Sequence, residues 1–328
     1  MTVTCPAEPI TRSLRAMNTD CRFVSFPTAS SSAAIVERAL DDAEARLRAF
    51  EERFSRFRDS SELSLINRRS DDWVTVSPEM AEVLRLAADL HAETSGVFDP
   101  SILDQLEFAG YRGSFETIPA EGPPLRGVAP RRRDFADIEF RDADRLRLPS
   151  GLRLDLGGIV KGWAADHLAN HLSSLGPALI DLGGDIAARG VPPDEPGWLV
   201  GVESGEGDGK LLTMLQIDTG GIATSGTNRR RWKRGDQWQH HLIDPRTGAP
   251  AQTDLCQVVA LDASAARAEA WAKTALIIGS AACEHLLATR PDLALLLVAD
   301  NGTATASPGV LRRLANPAGE ARPEANRC

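Results

Sequence analysis

Residues 154–166 read LDLGGIVKGWAAD and combine a strand-like segment, a pair of glycines and a lysine. The strand-like LRLDL ends at Gly157 and Gly158, and a helix is predicted to start near Ile159 with Lys161 in its first turn. The N-terminus of a helix presents unpaired N–H groups and a partial positive charge, to which a lysine adds a full one. This stretch therefore favours an anion, although an ordinary strand-to-helix turn has the same pattern.

The glycines do not form either of the two standard nucleotide fingerprints. Lys161 follows a single close glycine pair and is succeeded by Gly162, which matches neither G-x-x-x-x-G-K-[ST] nor G-x-G-x-x-G. A second pair, Gly183 and Gly184 in ALIDLGGDIAARG, repeats the design of an apolar strand followed by two glycines. The backbone of such a pair can approach a ligand closely. A β-bulge or a tight turn is the alternative interpretation.

Residues 220–250 read GGIATSGTNRRRWKRGDQWQHHLIDPRTGAP and carry further polar groups. Thr224, Ser225 and Gly226 offer two hydroxyls and a flexible backbone, which suit hydrogen bonds to a phosphate or to a flavin edge. His241 lies just before a D-P-R-T-G turn. A histidine with a pKa near neutrality can act as a general base, while a purely structural role is the alternative.

Composition limits the classes of protein that the chain can belong to. Its 328 residues suffice for one large domain or two ordinary ones, and 42% hydrophobic with 25% charged residues is typical of a soluble globular protein. A net charge of -9 argues against general nucleic-acid binding. The basic run at residues 229–234 is a local exception, predicted to be either a solvated loop or strand edge or a contact for phosphate or a partner.

The cysteines and the N-terminal segment indicate the compartment. The five cysteines are widely spaced without a C-x-x-C pair, so neither a disulfide framework nor a structural zinc site is predicted. The segment MTVTCPAEPITRS lacks a basic region followed by an apolar one, and no apolar run approaches the roughly 20 residues that cross a bilayer. We expect a cytoplasmic protein without membrane partners.

Hydrophobic spacing predicts an α+β fold. Apolar residues four and three apart in residues 30–57 predict a helix, and Ser77 followed by Pro78 predicts a second one that stops at Gly96. Further helices are expected at residues 160–175 and 265–278, and strands at 21–26, 178–182, 198–202, 212–217 and 293–298. Residues 113–133 are predicted to form a surface loop. Because these elements intermix without a strict βαβ rhythm, an α+β or mixed-sheet architecture is favoured.

The order of seven segments resembles that of the ApbE family, the FAD:protein FMN transferases. The resemblance spans roughly residues 17–310, and the segments are FSRFRDSSELSLIN, SGVFDPS, LDLGGIVKG, ALIDLGGDIAARG, IATSG, HHLIDPRTGAP and AEAWAKTALIIG. It implies a single α+β domain, placed at residues 15–315, with mixed or antiparallel sheets and packed helices. Residues 1–14 are expected to be an irregular N-terminus and 316–328 a disordered tail.

The resemblance also implies an activity. Such an enzyme binds FAD and a divalent metal, usually Mg2+, splits the pyrophosphate, releases AMP and attaches FMN through a phosphoester bond to a threonine or serine. The acceptor would be a flavoprotein with an FMN-binding domain. By this resemblance Lys161 would neutralise charge at the pyrophosphate, His241 would be the base, and Asp244 would orient the imidazole or act as base itself. The implied FAD site consists of Met17, Asn67, Asp99, Asp155, Gly157, Gly158, Lys161, Gly183, Gly184, Thr224, Ser225 and Gly226.

Two positions depart from the family pattern. Asn18 stands where the family usually has glycine, and asparagine tolerates unusual backbone angles. The family's metal ligands are an aspartate, a threonine four residues later and a backbone carbonyl, for which this chain offers Glu269, Lys273 and the carbonyl of Val160. Glutamate can replace aspartate, but a charged lysine cannot bind Mg2+. Its ammonium would pair with Glu269 or replace part of the metal's charge, and Thr274 is about 100° round the helix.

Two alternatives to the transferase follow from these residues. A FAD pyrophosphatase would release FMN and AMP by transfer to water at the same site. A FAD-binding protein with weakened catalysis is the second, and Lys273 is the residue that motivates it.

Overall fold

The computed structural model describes residues 8–29, 31–69, 71–205 and 209–315. Within these ranges, eight strands form one sheet in the order β1-β2-β6-β7-β10-β15-β16-β17, and every neighbouring pair is antiparallel. These strands are β1 (Ile10–Ala16), β2 (Thr19–Ser25), β6 (Ala178–Leu182), β7 (Ile186–Arg189), β10 (Gly220–Gly226), β15 (Leu255–Asp262), β16 (Ala294–Ala299) and β17 (Ala304–Ala306).

Shorter strands form small sheets around it. They are β3 (Trp73–Thr75), β4 (Glu139–Arg141) and β5 (Arg145–Arg147) in one sheet, and the pairs β8 (Trp198–Glu203) with β9 (Leu211–Ile217), β11 (Arg231–Arg234) with β12 (Gln237–His240), and β13 (Ile243–Asp244) with β14 (Ala249–Pro250). The helices are α1 (Ala33–Phe54), α2 (Glu62–Asn67), α3 (Pro78–Glu93), α4 (Leu103–Phe108), α5 (Val160–Ser173), α6 (Ala265–Ile278), α7 (Ser280–Thr289) and α8 (Pro308–Leu311).

The large sheet is covered on both faces. Along its strands, side chains alternate between the two faces with a period of two. Ala223 and Val258 join the core under α6, whereas their neighbours Ile222 and Val259 pack with the β8–β9 hairpin. The largest core lies between α1, α3, α5 and the sheet. A mixture of helices with an antiparallel sheet confirms the α+β fold class.

Helices α5 and α6 pack closely where the site forms. A Cβ added to Gly162 would lie 2.6 Å from backbone atoms of Ala265 and Ala266, so only glycine permits this approach. The Asp166 carboxylate then accepts hydrogen bonds from the Ser264 hydroxyl at 2.7 Å and the Ala266 N–H at 3.1 Å. The first two turns of α5 are therefore held against the start of α6.

Several element boundaries differ from those expected. Strand β1 begins at Ile10, so residues 10–14 are not irregular as predicted. Their alternation of half-buried and exposed side chains is that of an edge strand. Helix α1 ends at Phe54, and Phe57 beyond it is 39% exposed. Residues 113–133 are irregular except for a short 3-10 helix at Phe115–Thr117. The tail 316–328 lies outside the described residues, and the domain boundaries stay a prediction.

The turn between β1 and β2 has the geometry that its sequence allows. Met17 and Asn18 have φ values of 51° and 58°, as a two-residue hairpin turn with positive φ at both central positions requires. Asparagine accepts this region readily, so the loop persists where the family usually has glycine. The Met17 N–H donates to the Glu51 carboxylate at 2.8 Å, which fixes the turn against α1.

Among the described helices, none is long and apolar enough to pass through a membrane.

Candidate active site

The first of two cavities is lined largely by aromatic and aliphatic side chains. Its volume is about 330 Å3, and its walls come from α1, the segment after it, the Gly157–Gly158 turn and the strand β13. Arg56 is 6% exposed and stacks over the rings of Phe57 and Tyr111, with its guanidinium carbon 4.2 and 4.7 Å from their centroids. We call this space the aromatic cavity; it is also lined by Met17, Phe54, Phe98 and Ile102.

The second cavity is more polar and slightly larger, at about 480 Å3. Glycine backbone and hydroxyl groups supply much of its wall, so we call it the glycine cavity. It brings together all five residues that the sequence nominated from the second glycine pair and from IATSG. They are Gly183, Gly184, Thr224, Ser225 and Gly226.

The two cavities meet at a shared wall. Five residues line both: Gly157, Lys161, Arg230, His241 and Lys273. Three of these side chains are cationic, and the wall therefore concentrates positive charge where the two spaces join. We call these five residues the junction.

The Gly157–Gly158 turn is held from behind by side chains. Asp155 accepts a hydrogen bond from the Gly157 N–H at 2.8 Å and pairs with the Arg56 guanidinium at 2.5 Å. Asn67 bonds both the N–H and the carbonyl of Leu154, at 2.8 and 2.9 Å. Asn67 is absent from the described residues that line the two cavities, so it supports the turn rather than facing a ligand.

The second glycine turn has a similar support. The Asp181 carboxylate accepts a hydrogen bond from the Gly184 N–H at 2.8 Å, and burial raises the pKa of Asp181. Gly183 and Gly184 have φ values of 71° and 93°, a region that side chains rarely adopt. A Cβ on Gly183 would also overlap the Thr19 hydroxyl. The backbone angle therefore favours glycine at both positions, and close approach to Thr19 adds to this at Gly183.

Behind the junction lies a buried cluster of opposite charges. The Glu269 side chain is 1% exposed, and its Oε1 faces the Lys273 ammonium at 2.9 Å and the Lys161 ammonium at 3.3 Å. Its Oε2 accepts a hydrogen bond from the Gly162 N–H at 3.0 Å. Lys161 also pairs with Asp185, which follows the second glycine turn. One carboxylate thus fixes two lysines at the junction.

The cluster shifts the pKa values of its members. Burial alone would raise the pKa of Glu269, but the charges of Lys161 and Lys273 lower it to about 2. Burial lowers the pKa of Lys161 to about 8, the Glu269 charge opposing the shift and the Lys273 and Arg230 charges adding to it. Glu269 is therefore ionised at neutral pH and cannot serve as a proton donor there.

The expected magnesium ligands do not fit a divalent ion. Both carboxylate oxygens of Glu269 already have hydrogen-bond partners, and Glu269 is not among the described residues lining either cavity. The Lys273 ammonium, which belongs to the junction, lies 2.9 Å from this carboxylate. Thr274 is 3% exposed and its hydroxyl is buried without a hydrogen-bond partner, so it offers no substitute ligand. Of the three predicted positions, Val160 and Lys273 line the aromatic cavity.

His241 has the protonation state that a base requires. Burial lowers its pKa well below 6.5, and the nearby charges of Arg230 and Lys273 lower it further. The imidazole is therefore neutral at pH 7, and its Nδ1 is buried without a hydrogen-bond partner in the described structure. Because His241 lies at the junction, an unpaired basic nitrogen stands beside the cations.

Asp244 and Asp99 are engaged elsewhere. The Asp244 carboxylate accepts hydrogen bonds from the Arg246 N–H and guanidinium at 2.8 to 3.2 Å and is not among the described residues lining either cavity. Asp99 touches the aromatic cavity, but its side chain is fully buried and binds Ser101 and Arg132. Both carboxylates shape turns, and the hydrogen bonds and ion pairs of the described residues link neither of them to His241.

Two arginines that line the cavities, Arg230 and Arg56, were not nominated from the sequence. Arg230 was one member of a basic run with two interpretations, and only the fold shows that it reaches the junction. Arg56 lies inside a quoted segment without having been nominated. Its alternation with aromatic residues was the only sequence signal. The chain positions of Arg56 and Asp155 are distant, so their pairing depended on the fold.

Fold and site define an α+β protein with two cavities that share a cationic wall. The chain belongs to the ApbE family, whose sequence model matches residues 17–297.

Known proteins resemble the chain over most of its length. It is 28% identical over 301 residues to a FAD:protein FMN transferase of Treponema pallidum, covering 86% of this chain and 83% of the relative. The corresponding protein of Escherichia coli K12 is 26% identical over 257 residues, covering 75% and 70%.

Solved structures share the fold. The ApbE protein of Thermotoga maritima matches with a TM-score of 0.83 at 23% identity, covering 94% of this chain and all of that one. The flavin transferase ApbE of Vibrio cholerae matches with a TM-score of 0.78 at 23% identity, with the same coverage. At this identity the likeness establishes the architecture, which is the single α+β domain expected.

Proposed function

We propose that this chain cleaves FAD and transfers its FMN moiety to a threonine or serine hydroxyl of an acceptor flavoprotein, with release of AMP. The observation that carries the proposal is the junction of two cavities at Lys161, Arg230, His241 and Lys273. FAD consists of two nucleotides joined by a pyrophosphate. One nucleotide would occupy each cavity, with the pyrophosphate beside the cations. The names of the curated relatives point to the same reaction.

The residues at the junction suit a phosphoryl-type displacement. The acceptor oxygen would attack the phosphorus of the FMN half, and the bond from that phosphorus to the bridging oxygen would break. AMP would leave with the bridging oxygen and its negative charge. Lys161, Arg230 and Lys273 would offset that charge, which fixed cations do well in a site that excludes water.

The proton of the acceptor hydroxyl needs a base. Neutral His241, which lines both cavities, would take it as the new phosphoester bond forms. Asp244 has no part in this step, because its carboxylate is held by Arg246. The residues of the expected metal site do not fit a divalent ion, so Lys161, Arg230 and Lys273 would offset the charge in this step without one.

One assay separates the transferase from its alternatives. The purified chain is incubated with FAD and an FMN-binding flavoprotein domain that contains a candidate threonine. AMP is then measured by chromatography and the acceptor by intact mass. We expect AMP release matched by the addition of one FMN, less one water, to the acceptor. An acceptor with valine in place of the threonine is the control and should stay unmodified.

The remaining outcomes contradict the transfer. AMP and free FMN with an unmodified acceptor would indicate a FAD pyrophosphatase. Bound, intact FAD without AMP would indicate a FAD-binding protein with weakened catalysis.

A further inference from the structure

We infer that the Lys273 ammonium takes the place of a divalent cation in this chain, so that FAD is bound at the junction by side-chain cations alone. The inference rests on the proposed function for the identity of the ligand. Its basis is the arrangement of Glu269, Lys161 and Lys273, in which one carboxylate oxygen is shared by two ammonium groups at 3.3 and 2.9 Å.

Most of the acceptor positions of the Glu269 carboxylate are already used. An ionised carboxylate offers about four acceptor positions in total. Glu269 spends three of them on the two ammonium groups and the Gly162 N–H. Its 1% exposure leaves the side chain with no path to an ion in either cavity.

Charge also opposes a divalent ion there. Magnesium binds carboxylate oxygens at about 2.1 Å, so an ion on Glu269 Oε1 would lie within about 5.4 Å of both ammonium nitrogens. Two like charges so close to an ion in a buried site raise its free energy strongly. The lysines therefore exclude the ion whose charge they replace.

The Lys273 side chain contacts Glu269 and can also reach a ligand in the cavities. It lies one helical turn from Glu269 on α6, and its side chain remains 17% exposed at the wall that both cavities share. Its Cε lies 3.1 Å from where a Cβ of Gly158 would be, so the stem packs against the first glycine turn. Glu269 thus orients the ammonium, and the glycine provides the space.

The replacement predicts how a pyrophosphate is held. Lysine binds phosphate as a compact point charge, and an additional guanidinium from Arg230 can bind two oxygens together. The side chains of Lys161, Lys273 and Arg230 would together offset the negative charge of the pyrophosphate. Glu269 and Asp185 hold the two lysines in position.

The first test measures cation binding without any nucleotide. Mn2+ is titrated into the protein and followed by electron paramagnetic resonance, for the wild type and for Lys273→Thr and Lys273→Met. Both variants remove the ammonium, but only threonine adds an oxygen ligand. We expect site-specific Mn2+ binding in Lys273→Thr and in neither of the other two proteins. A wild-type Mn2+ site that Glu269→Gln abolishes would overturn the inference.

The second test measures FAD affinity by flavin fluorescence in EDTA and in Mg2+. The wild type should bind equally in both, and Lys273→Arg should keep this metal independence. Lys273→Met should bind on the order of tenfold more weakly in both, as loss of a charged hydrogen-bond partner predicts. A wild type that needs Mg2+ to bind FAD would overturn the inference.

The two tests separate failure of this inference from failure of the proposed function. Absence of FAD binding in both buffers would sink the proposed function, while the Mn2+ titration would still decide the cation question. If a Lys273 variant does not fold by circular dichroism, the wild-type Mn2+ and EDTA measurements decide it.

Discussion

His241 shows how a buried histidine becomes a base. Burial, and after it the nearby charges of Arg230 and Lys273, hold the imidazole neutral, and its buried Nδ1 has no hydrogen-bond partner in the described structure. Replacement by glutamine keeps a similar size but cannot accept the proton. We expect His241→Gln to lower the transfer rate a hundredfold or more, on the order of a general base's contribution.

The measurement is the single-turnover rate of acceptor modification at saturating FAD. Asp244→Asn is the matched control, because it alters a nearby turn residue that does not face the cavities. It should retain transfer while lowering the melting temperature, since the Arg246 pair is weakened. Equal losses in both variants would make Asp244 part of the chemistry after all.

The depressed pKa of His241 has a consequence for pH dependence. Because its pKa lies well below 6.5, the basic form persists as the pH falls from 8 through 6.5. The value of kcat/KM for FAD reports groups of the free enzyme. It should therefore show its acid limb below pH 6.5. An acid limb centred at or above the ordinary histidine pKa would contradict the assignment, and a His241→Gln profile that keeps the limb would assign it to another group.

At the residue scale, the sequence identified most of the residues that line the two cavities, but not the side-chain contacts that hold those residues in place. Glycine pairs, hydroxyls and His241 were recognisable because their chemistry is local. Whether a carboxylate faces a ligand or a neighbouring arginine depends on the fold. Asp99 pairs with Arg132 and Asp244 with Arg246, which the sequence alone did not show. Lys273 was recognised as a departure from the family, and its pairing with Glu269 was one of the two expected alternatives. That the same side chain also lines the junction was visible only from the fold.

Among the elements, α5 and α6 carry the site between them. Gly162 permits the close packing of the two helices and also donates its N–H to Glu269. Gly162→Ala should destabilise the protein by about 1 to 3 kcal/mol, because the added methyl overlaps the α6 backbone. The melting temperature should fall by several degrees in a scanning calorimeter.

A control for this substitution lies on the same helix. Ser173 is the exposed last residue of α5, so Ser173→Ala adds no atom to the helix contact. Its melting temperature should stay near that of the wild type. Alanine is the best helix former, so helix propensity would favour both variants. A fall for Ser173→Ala as large as that for Gly162→Ala would therefore contradict the assignment of the loss to the contact between the helices.

Elements with strong periodicity were predictable, and their ends were less so. Helix α6 and strand β6 have the expected bounds, since a long apolar stripe or a compact apolar run defines them. Strand β1 was missed because ITRSLRA has too few apolar residues to stand out in an edge strand. Pairing with β2 determines its conformation, and pairing is not visible in a local pattern.

At the scale of the whole molecule, the sheet brings distant segments to one place. The first glycine turn, the second glycine turn, the end of β10 and the segment after β12 are far apart in the chain, yet all four line the glycine cavity. Periodicity alone left open how these segments come together. The order of motifs predicted the assembly through the family resemblance, whereas the division of the site into two cavities needed the fold.

Under the proposed function, this division makes the two halves of FAD ligands of two different cavities. AMP and FMN should each bind the protein weakly, and they should bind together because they occupy different cavities. Titration of FMN by its fluorescence at rising AMP concentrations tests this. The apparent Kd for FMN should reach a plateau, since repulsion between the two phosphates at the junction has a fixed cost. An apparent Kd that rises in proportion to AMP would mean one shared site. Gly183→Ala, which places a methyl group against Thr19 in the glycine cavity, should weaken only one of the two ligands; equal weakening of both would contradict the separation.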